Sequence, residues 1–196
     1  IGILISIVII FRCYHKIKNP FWSIQPVFRP YNIYYKWFPP GIIESHNNDN
    51  LVPQRKKYIN TTNIIVKPMT SFSLETFEEI ATFIRKFYCN EKNVFYNPKA
   101  NHILPYFHDS HKSNIGLYYL NNQLFGCITS KPLYVEINNQ LVNTHYVDYL
   151  CIHKEYRKKG LAPELIQTIL NCVKKKDKLS STFLFKRETT FNTIVP

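Results

Sequence analysis

The sequence predicts a mixed α/β domain in which a mainly antiparallel sheet is flanked by helices, and three observations carry that prediction. Strand-like segments separated by paired asparagines fill 115–152, apolar residues recur at helical spacing over 73–88 and 161–173, and a basic turn joins the last of those strands to the second helix. Strands and helices mixed in this way, with an antiparallel run at the centre, describe a layered α/β fold. With 196 residues, 45% of them hydrophobic and 15% aromatic, the chain can bury a substantial core, which excludes a wholly disordered protein. Only 5 glycines exclude a fibrous or linker protein.

In chain order, Ile1 to Phe11 (IGILISIVIIF) is apolar except for Gly2 and Ser6, and Arg12, His15, Lys16 and Lys18 follow at once. Eleven helical residues rise only about 16 Å, short of a bilayer core of roughly 30 Å. Basic residues on the C-terminal flank and the absence of a small-residue cleavage site make 1–11 a truncated membrane-anchor candidate, with a buried strand as the alternative. Such an anchor would leave the remainder facing the cytoplasm. Residues 12–60 read as an extended arm and polar linker, rich in Pro, aromatics and, later, Asn. A first strand is expected at Asn63–Pro68. The next helix, Ser73–Tyr88, carries Leu74, Phe77, Ile80, Ala81, Ile84 and Phe87 on one side, with Thr76 and Glu79 spaced like a capping box. Irregular structure fills Cys89–Asn114. Strands follow at Ile115–Leu120, Leu124–Ser130, Leu133–Ile137 and Thr144–Ile152, and Asn121-Asn122 and Asn138-Asn139 suit the positive φ of tight hairpins. Leu161, Leu165, Ile169 and Val173 mark a second helix with Pro163 in its first turn, where a missing N–H is harmless. Ser181–Lys186 reads as the last strand. The start at Ile1 rather than Met, and the end just after that strand, suggest a fragment.

The 25 Lys and Arg against 13 acids give a formal charge of +12, which fits a polyanionic partner: nucleic acid, an anionic membrane surface or a phosphate-rich cofactor. The joint abundance of Asn, Ile, Lys, Tyr and Phe, as AT-rich coding produces, explains part of that excess without function. Such coding beside an anchor is compatible with a large DNA virus protein. Nucleic-acid binding is not expected, because the basic residues are not gathered with stacking aromatics. The cysteines at 13, 89, 127, 151 and 172 have no C-x-x-C pair and read as reduced thiols. His102, His108 and His111 near Asp109 have loop composition and no finger spacing, so no metal is expected.

Chemistry concentrates in His153-Lys154-Glu155-Tyr156-Arg157-Lys158-Lys159-Gly160-Leu161-Ala162-Pro163. A strand feeding a basic turn that opens a helix offers unpaired first-turn N–H groups and a positive dipole end to phosphate oxygens. Gly160 and Ala162 permit close backbone approach, while Arg157, Lys158 and Lys159 add charge. A solvated basic helix start is the alternative. Neither a Walker loop nor a G-x-G-x-x-G fingerprint is present, and hydrolase arrangements of Ser/His/Asp or paired carboxylates have no spacing support.

Arg157-x-x-Gly160-x-Ala162 resembles the acyl-CoA pyrophosphate loop of the GCN5-related acetyltransferase superfamily. The longer string Val147-Asp148-Tyr149-Leu150-Cys151-Ile152-His153-Lys154-x-x-Arg157-x-Lys159-x-Leu161-Ala162-Pro163-x-Leu165-Ile166 resembles the signature of N-myristoyltransferases, a variant of that fold. Phe21-Trp22-x-x-Gln25-Pro26-Val27 is similar to that family's N-terminal arm, and Leu124-x-Gly126-x-Ile128-x-x-x-Pro132 to its central hairpin.

The resemblance implies an acyltransferase that moves a fatty acyl group, myristoyl, from acyl-CoA to the N-terminal glycine of proteins. Residues 61–196 would be its acyl-CoA-binding domain, and the family's C-terminal peptide-binding domain would be missing. Phe21 and Trp22 would close over the acyl-CoA, and Leu150, Cys151 and Ile152 would line the bend of the thioester. The backbone amides of Tyr149 and Leu150 would form the oxyanion hole, and Lys158, Lys159, Gly160, Leu161 and Ala162 would hold the CoA phosphates beside Arg157. Myristoyl-CoA would be a co-substrate with no permanently bound cofactor. The partners would be glycine peptides, with a membrane tether through 1–11 and a monomeric chain.

Two departures stand out: Gly160 replaces a usual basic residue, and Cys89-Asn90-Glu91-Lys92 replaces an acidic run. The family's base comes from the second domain. Within this chain strand alternation puts Asp148 on one face with Leu150 and Ile152, and His145 on the other with Val147 and Tyr149, making Asp148 the candidate base. A strand Asp bonded to backbone is the alternative. The competing functions are a single-domain acetyltransferase using acetyl-CoA and a non-catalytic, membrane-tethered acyl-CoA-binding module.

Overall fold

The computed structural model describes residues 2–27, 37–38, 53–88, 96–103, 112–177, 180 and 182–185. The chain divides into two compact units, with the boundary between Lys57 and Tyr58.

In the first unit, helix α1 spans Gly2–Lys18, so the apolar residues and the basic residues after them form one helix. The expected membrane anchor is not supported: no described helix is long and apolar enough to cross a membrane. The 17 residues of α1 rise about 25 Å, and Arg12, Lys16 and Lys18 interrupt its apolar character. Beyond it, Phe21 leads into a 3₁₀ turn, Trp22–Ile24, and its ring meets Trp22 edge-on at 5.0 Å. Arg55, in a helical turn at Pro53–Lys56, donates from Nε to the Ile24 carbonyl at 3.0 Å. The polar run 44–50 lies outside the described residues.

The second unit has the expected fold class. Strands β1 (Ile64–Pro68), β2 (Asn114–Leu120), β3 (Gln123–Ile137) and β4 (Gln140–Ile152) follow one another as an antiparallel sheet, and β5 (Thr182–Phe185) joins β4 in parallel. Asn121, Asn122, Asn138 and Asn139 all have positive φ, between 49° and 62°, as two-residue hairpin turns require. The break expected at Pro132 does not occur: β3 continues through it, with Pro132 opposite His145. The last β2 pairing is Asn114 with Ser130, so from Lys131 onward β3 has β4 alone as its neighbour among the described residues, and an edge tolerates proline.

Helix α2 (Leu74–Phe87) covers one face. Its cap is Ser73, whose side chain accepts from the Thr76 N–H at 3.3 Å, so the expected capping box starts three residues too late. Phe77, Ile80, Ile84 and Phe87 pack there with Ile115, Leu117, Cys127, Tyr149 and Cys151. A short helical turn at Ala100–Ile103, inside the segment expected to be irregular, adds Ala100 and Ile103 to this core.

Helix α3 (Leu161–Lys176) forms the crossover from β4 to β5 and buries Leu161, Leu165, Ile169 and Val173 on the other face. A Cβ on Gly126 would stand 2.9 Å from both Ile152 Cδ1 and Leu165 Cδ1, so a glycine here lets α3 lie close to the sheet. That fixes where the start of α3 stands relative to the end of β4.

Candidate functional site

The β3–β4 ladder slips once. Cys127 pairs with Cys151 and Thr129 with Asp148, so Tyr149 and Leu150 together oppose the single residue Ile128. This is a β-bulge, with Tyr149 at φ 48°, a left-handed conformation that costs an L-residue about 1–2 kcal/mol. The extra residue overturns the expected alternation. Asp148 and Cys151 share the α2 face with Cys127 and Thr129, whereas Ile152 and Val147 pair with Gly126 and Ser130 on the α3 face. Tyr149, expected beside His145 and Val147, packs in the α2-side core.

Side chains hold the bulge open. Thr129 Oγ1 donates to the Asp148 carbonyl at 3.0 Å, and Cys127 Sγ to the Tyr149 carbonyl at 3.4 Å. A side-chain hydrogen bond with Cys151, together with burial, pushes the Cys127 thiol well up, keeping it protonated as that donor. The Tyr149 N–H donates to Asp148 Oδ1 at 2.8 Å, so Asp148 is a strand carboxylate bonded to backbone. That bond places a carboxylate oxygen on the amide expected to meet a thioester oxyanion. Around it stand Tyr88, Tyr96 and Tyr149. Tyr88 lies 5.7 Å from each of the other two rings, the Tyr96 and Tyr149 hydroxyls bond at 2.9 Å, and the Tyr88 hydroxyl reaches Asp148 Oδ1 at 3.5 Å. Sequence spacing gave no sign of Tyr88 and Tyr96, which come together through the end of α2 and the segment before Ala100.

The basic turn is anchored before it reaches α3. The His153 N–H donates to the Phe125 carbonyl at 2.9 Å, and the Phe125 ring meets Tyr156 at 4.3 Å. Arg157, although exposed, reaches two carbonyls: Nη2 donates to that of Phe87 at 2.6 Å and Nε to that of Ile152 at 3.2 Å. Its guanidinium thus caps the C-terminal turn of α2, whose last carbonyls lack helical donors. Lys158, Lys159 and Gly160 are exposed as well, with Lys159 Nζ 4.8 Å from the Tyr156 ring centre.

Lys158 (φ 63°) and Gly160 (φ 90°) are left-handed, which curls the turn so that successive N–H groups can converge. The first helical bond runs from Glu164 N to Gly160 O at 3.3 Å. Ahead of it, the N–H groups of Leu161 and Ala162 have no helical acceptor, and Pro163 has none to place. Asn60 Nδ2 holds the Glu164 carboxylate at 2.7 Å. Bulge and turn are successive features of one strand–turn–helix, able to hold a polarised carbonyl at the first and phosphate at the second.

Among the described residues no group of His, Cys, Asp and Glu could hold a metal ion. His108, Asp109, His111 and the substituted run Cys89-Asn90-Glu91-Lys92 lie outside them.

The family model for the N-terminal domain of myristoyl-CoA:protein N-myristoyltransferase matches residues 69–189. A glycylpeptide N-tetradecanoyltransferase of Plasmodium falciparum is 39% identical over 57 residues, 29% of this chain and 14% of that protein. Two crystal structures of Saccharomyces cerevisiae N-myristoyltransferase with bound myristoyl-CoA are similar in fold. One has a TM-score of 0.63 at 16% identity, covering 84% of this chain and 37% of the yeast chain. The other has 0.57 at 18%, covering 84% and 40%. The chain thus spans well under half of the yeast enzyme it matches.

Proposed function

Since the chain belongs to the myristoyl-CoA:protein N-myristoyltransferase family through its N-terminal domain, we propose that it binds a long-chain acyl-CoA and donates the acyl group to the N-terminal glycine of a protein. The observation that carries this reading is the Tyr149–Leu150 bulge on the strand that feeds the turn Lys158–Ala162. The CoA pyrophosphate sits against the N–H groups at the start of α3, with Lys158 and Lys159 at its edge. The acyl chain bends past Leu150, Cys151 and Ile152. Arg157 acts on the site by holding the turn to α2 and β4.

In the reaction the neutral glycine amine attacks the thioester carbon. The carbonyl electron pair moves to oxygen, and the N–H groups of Tyr149 and Leu150 stabilise the resulting oxyanion. For this the acyl oxygen displaces Asp148 Oδ1 from the Tyr149 N–H. The released carboxylate is then the in-chain group placed to take the ammonium proton as the C–S bond breaks, and CoA leaves as the thiolate and is protonated. No acyl-enzyme forms, and Cys151 is a pocket wall.

The test is acyl transfer to a peptide beginning with glycine. One CoA thiol should be released per amide formed, with myristoyl-CoA preferred to acetyl-CoA. Preference for acetyl-CoA, or thiol release without amide, would contradict the proposal.

A further inference from the structure

At the opposite end of α3 from the basic turn lies a cavity of about 110 Å³ whose walls include Lys112, Asn114, His145, Lys176 and Asp177. The 16 residues of α3 put that end about 24 Å from the turn. His145 is its unusual wall. The side chain is 1% exposed, and Nε2 has no hydrogen-bond partner. A buried polar atom of this kind is costly unless something bonds to it.

Burial keeps the imidazole neutral near pH 7, outweighing the pull of Asp177. Nδ1 bonds to Ser130 Oγ at 2.8 Å and is that hydroxyl's one partner among the described residues, so Ser130 donates and the ring proton sits on Nε2. Asp177 Oδ2 is 3.8 Å from Nε2, too far to accept that proton.

The remaining walls decide what could. Lys112 Nζ stands 3.3 Å from the same Asp177 Oδ2, and Lys176 Nζ donates to Asn114 Oδ1 at 3.1 Å. Asp177 Oδ2 also accepts from Ser180 Oγ at 3.1 Å, so Lys112 and Ser180 already engage its charge. With His145 neutral, two lysines against one carboxylate leave these walls with a positive excess. The imidazole N–H and two ammonium groups reach the cavity from β4, from the start of β2 and from the end of α3. Donors in surplus and positive charge favour an occupant that is negatively charged and rich in acceptors. The space suits about three or four waters, or one ion of similar bulk.

We infer that this cavity is a binding site for a small oxyanion, held by the His145 Nε2–H, Lys112 and Lys176. Bound there, the ion ties the end of α3 to β2 and β4. The inference stands independently of the acyl-transfer reading, because none of these residues belongs to that site.

Calorimetric titration of the chain with sodium phosphate, at ionic strength held constant with chloride, tests it together with proton–nitrogen spectra of the histidine rings. Phosphate should bind saturably and shift the His145 ring signals, which Ser130→Ala/His145→Phe identifies by their loss. Lys112→Met/Lys176→Met should weaken phosphate about tenfold or more while keeping the fold, since both lysines are exposed. Ser130→Ala/His145→Phe should weaken it as much, and replacing both bonded partners by apolar groups spares the fold. Phosphate bound elsewhere, the turn before α3 included, would leave the ring signals unmoved. Unmoved ring signals, binding indifferent to both double variants, or no binding beyond that of chloride would each overturn the inference and leave the cavity to water. A phosphate monoester binding more tightly than inorganic phosphate would overturn the free ion as the ligand.

Discussion

Arg157 and Lys159 stand two residues apart in one basic turn and have different tasks. The Arg157 guanidinium ties the Phe87 and Ile152 carbonyls together, so Arg157→Ala should lower the unfolding free energy by about 1–3 kcal/mol in urea titrations. Lys159, exposed over the Tyr156 ring, should leave stability within about 0.5 kcal/mol when changed to Ala while weakening CoA binding. A larger stability loss for Lys159→Ala than for Arg157→Ala would reverse these assignments. Gly160 is held at φ 90° with open space where a Cβ would stand, so Gly160→Ala should cost about 1–2 kcal/mol through backbone strain alone. His145 lines a cavity of about 110 Å³ with Asp177, Lys112 and Lys176, bonded to Ser130 Oγ at 2.8 Å. Burial, outweighing the pull of Asp177, lowers its affinity for a proton below the ordinary 6.5. In acid the unfolded chain then binds a proton that the folded one refuses. The effect is absent above about pH 6.5 and destabilises the fold progressively below it. The urea midpoint should fall between pH 7 and pH 5, and His145→Gln should reduce that fall; identical pH slopes would remove the role.

At the scale of elements, the strongest local signals were the most legible. Paired asparagines marked both hairpins, because few residues accept two successive positive φ values. Apolar spacing located α2 and α3, and the glycine-containing turn located the start of α3. The resemblance points to the amides of Tyr149 and Leu150, but the bulge's effect on side chains is not legible in the sequence. An inserted residue flips every later side chain on the strand, so Asp148 and Ile152 part company although they are four apart. Nothing in one strand's own sequence records the slip against its neighbour. Likewise the sequence of the turn does not show that Arg157 also holds carbonyls, because the Phe87 carbonyl comes from α2, seventy residues earlier. Gly126 belongs to the Leu124-x-Gly126-x-Ile128 motif, and packing supplies its reason. Gly126→Val should cost about 2–3 kcal/mol by driving Leu165 and Ile152 apart, and Gly126→Ala less, because the ends of those side chains can give. Tolerance of Val in thermal melts would show that α3 is not seated as closely as described.

For the whole molecule, the charge of +12 divides into local parts. Lys158 and Lys159 belong to the exposed turn before α3, and Arg12, Lys16 and Lys18 to α1. Arg157 belongs to the architecture that holds the turn in place. The described sheet brings a β-bulge and a helix start with unpaired first-turn N–H groups together on one strand–turn–helix, and that conjunction is the core of the proposed acyl-CoA site. Calorimetric titration of the chain with myristoyl-CoA, acetyl-CoA and CoA tests it most directly. The account predicts saturable binding of all three at one site, tightest for myristoyl-CoA and weakened for all by Gly160→Ala. Failure of every ligand to bind, or acetyl-CoA binding as tightly as myristoyl-CoA, would contradict it.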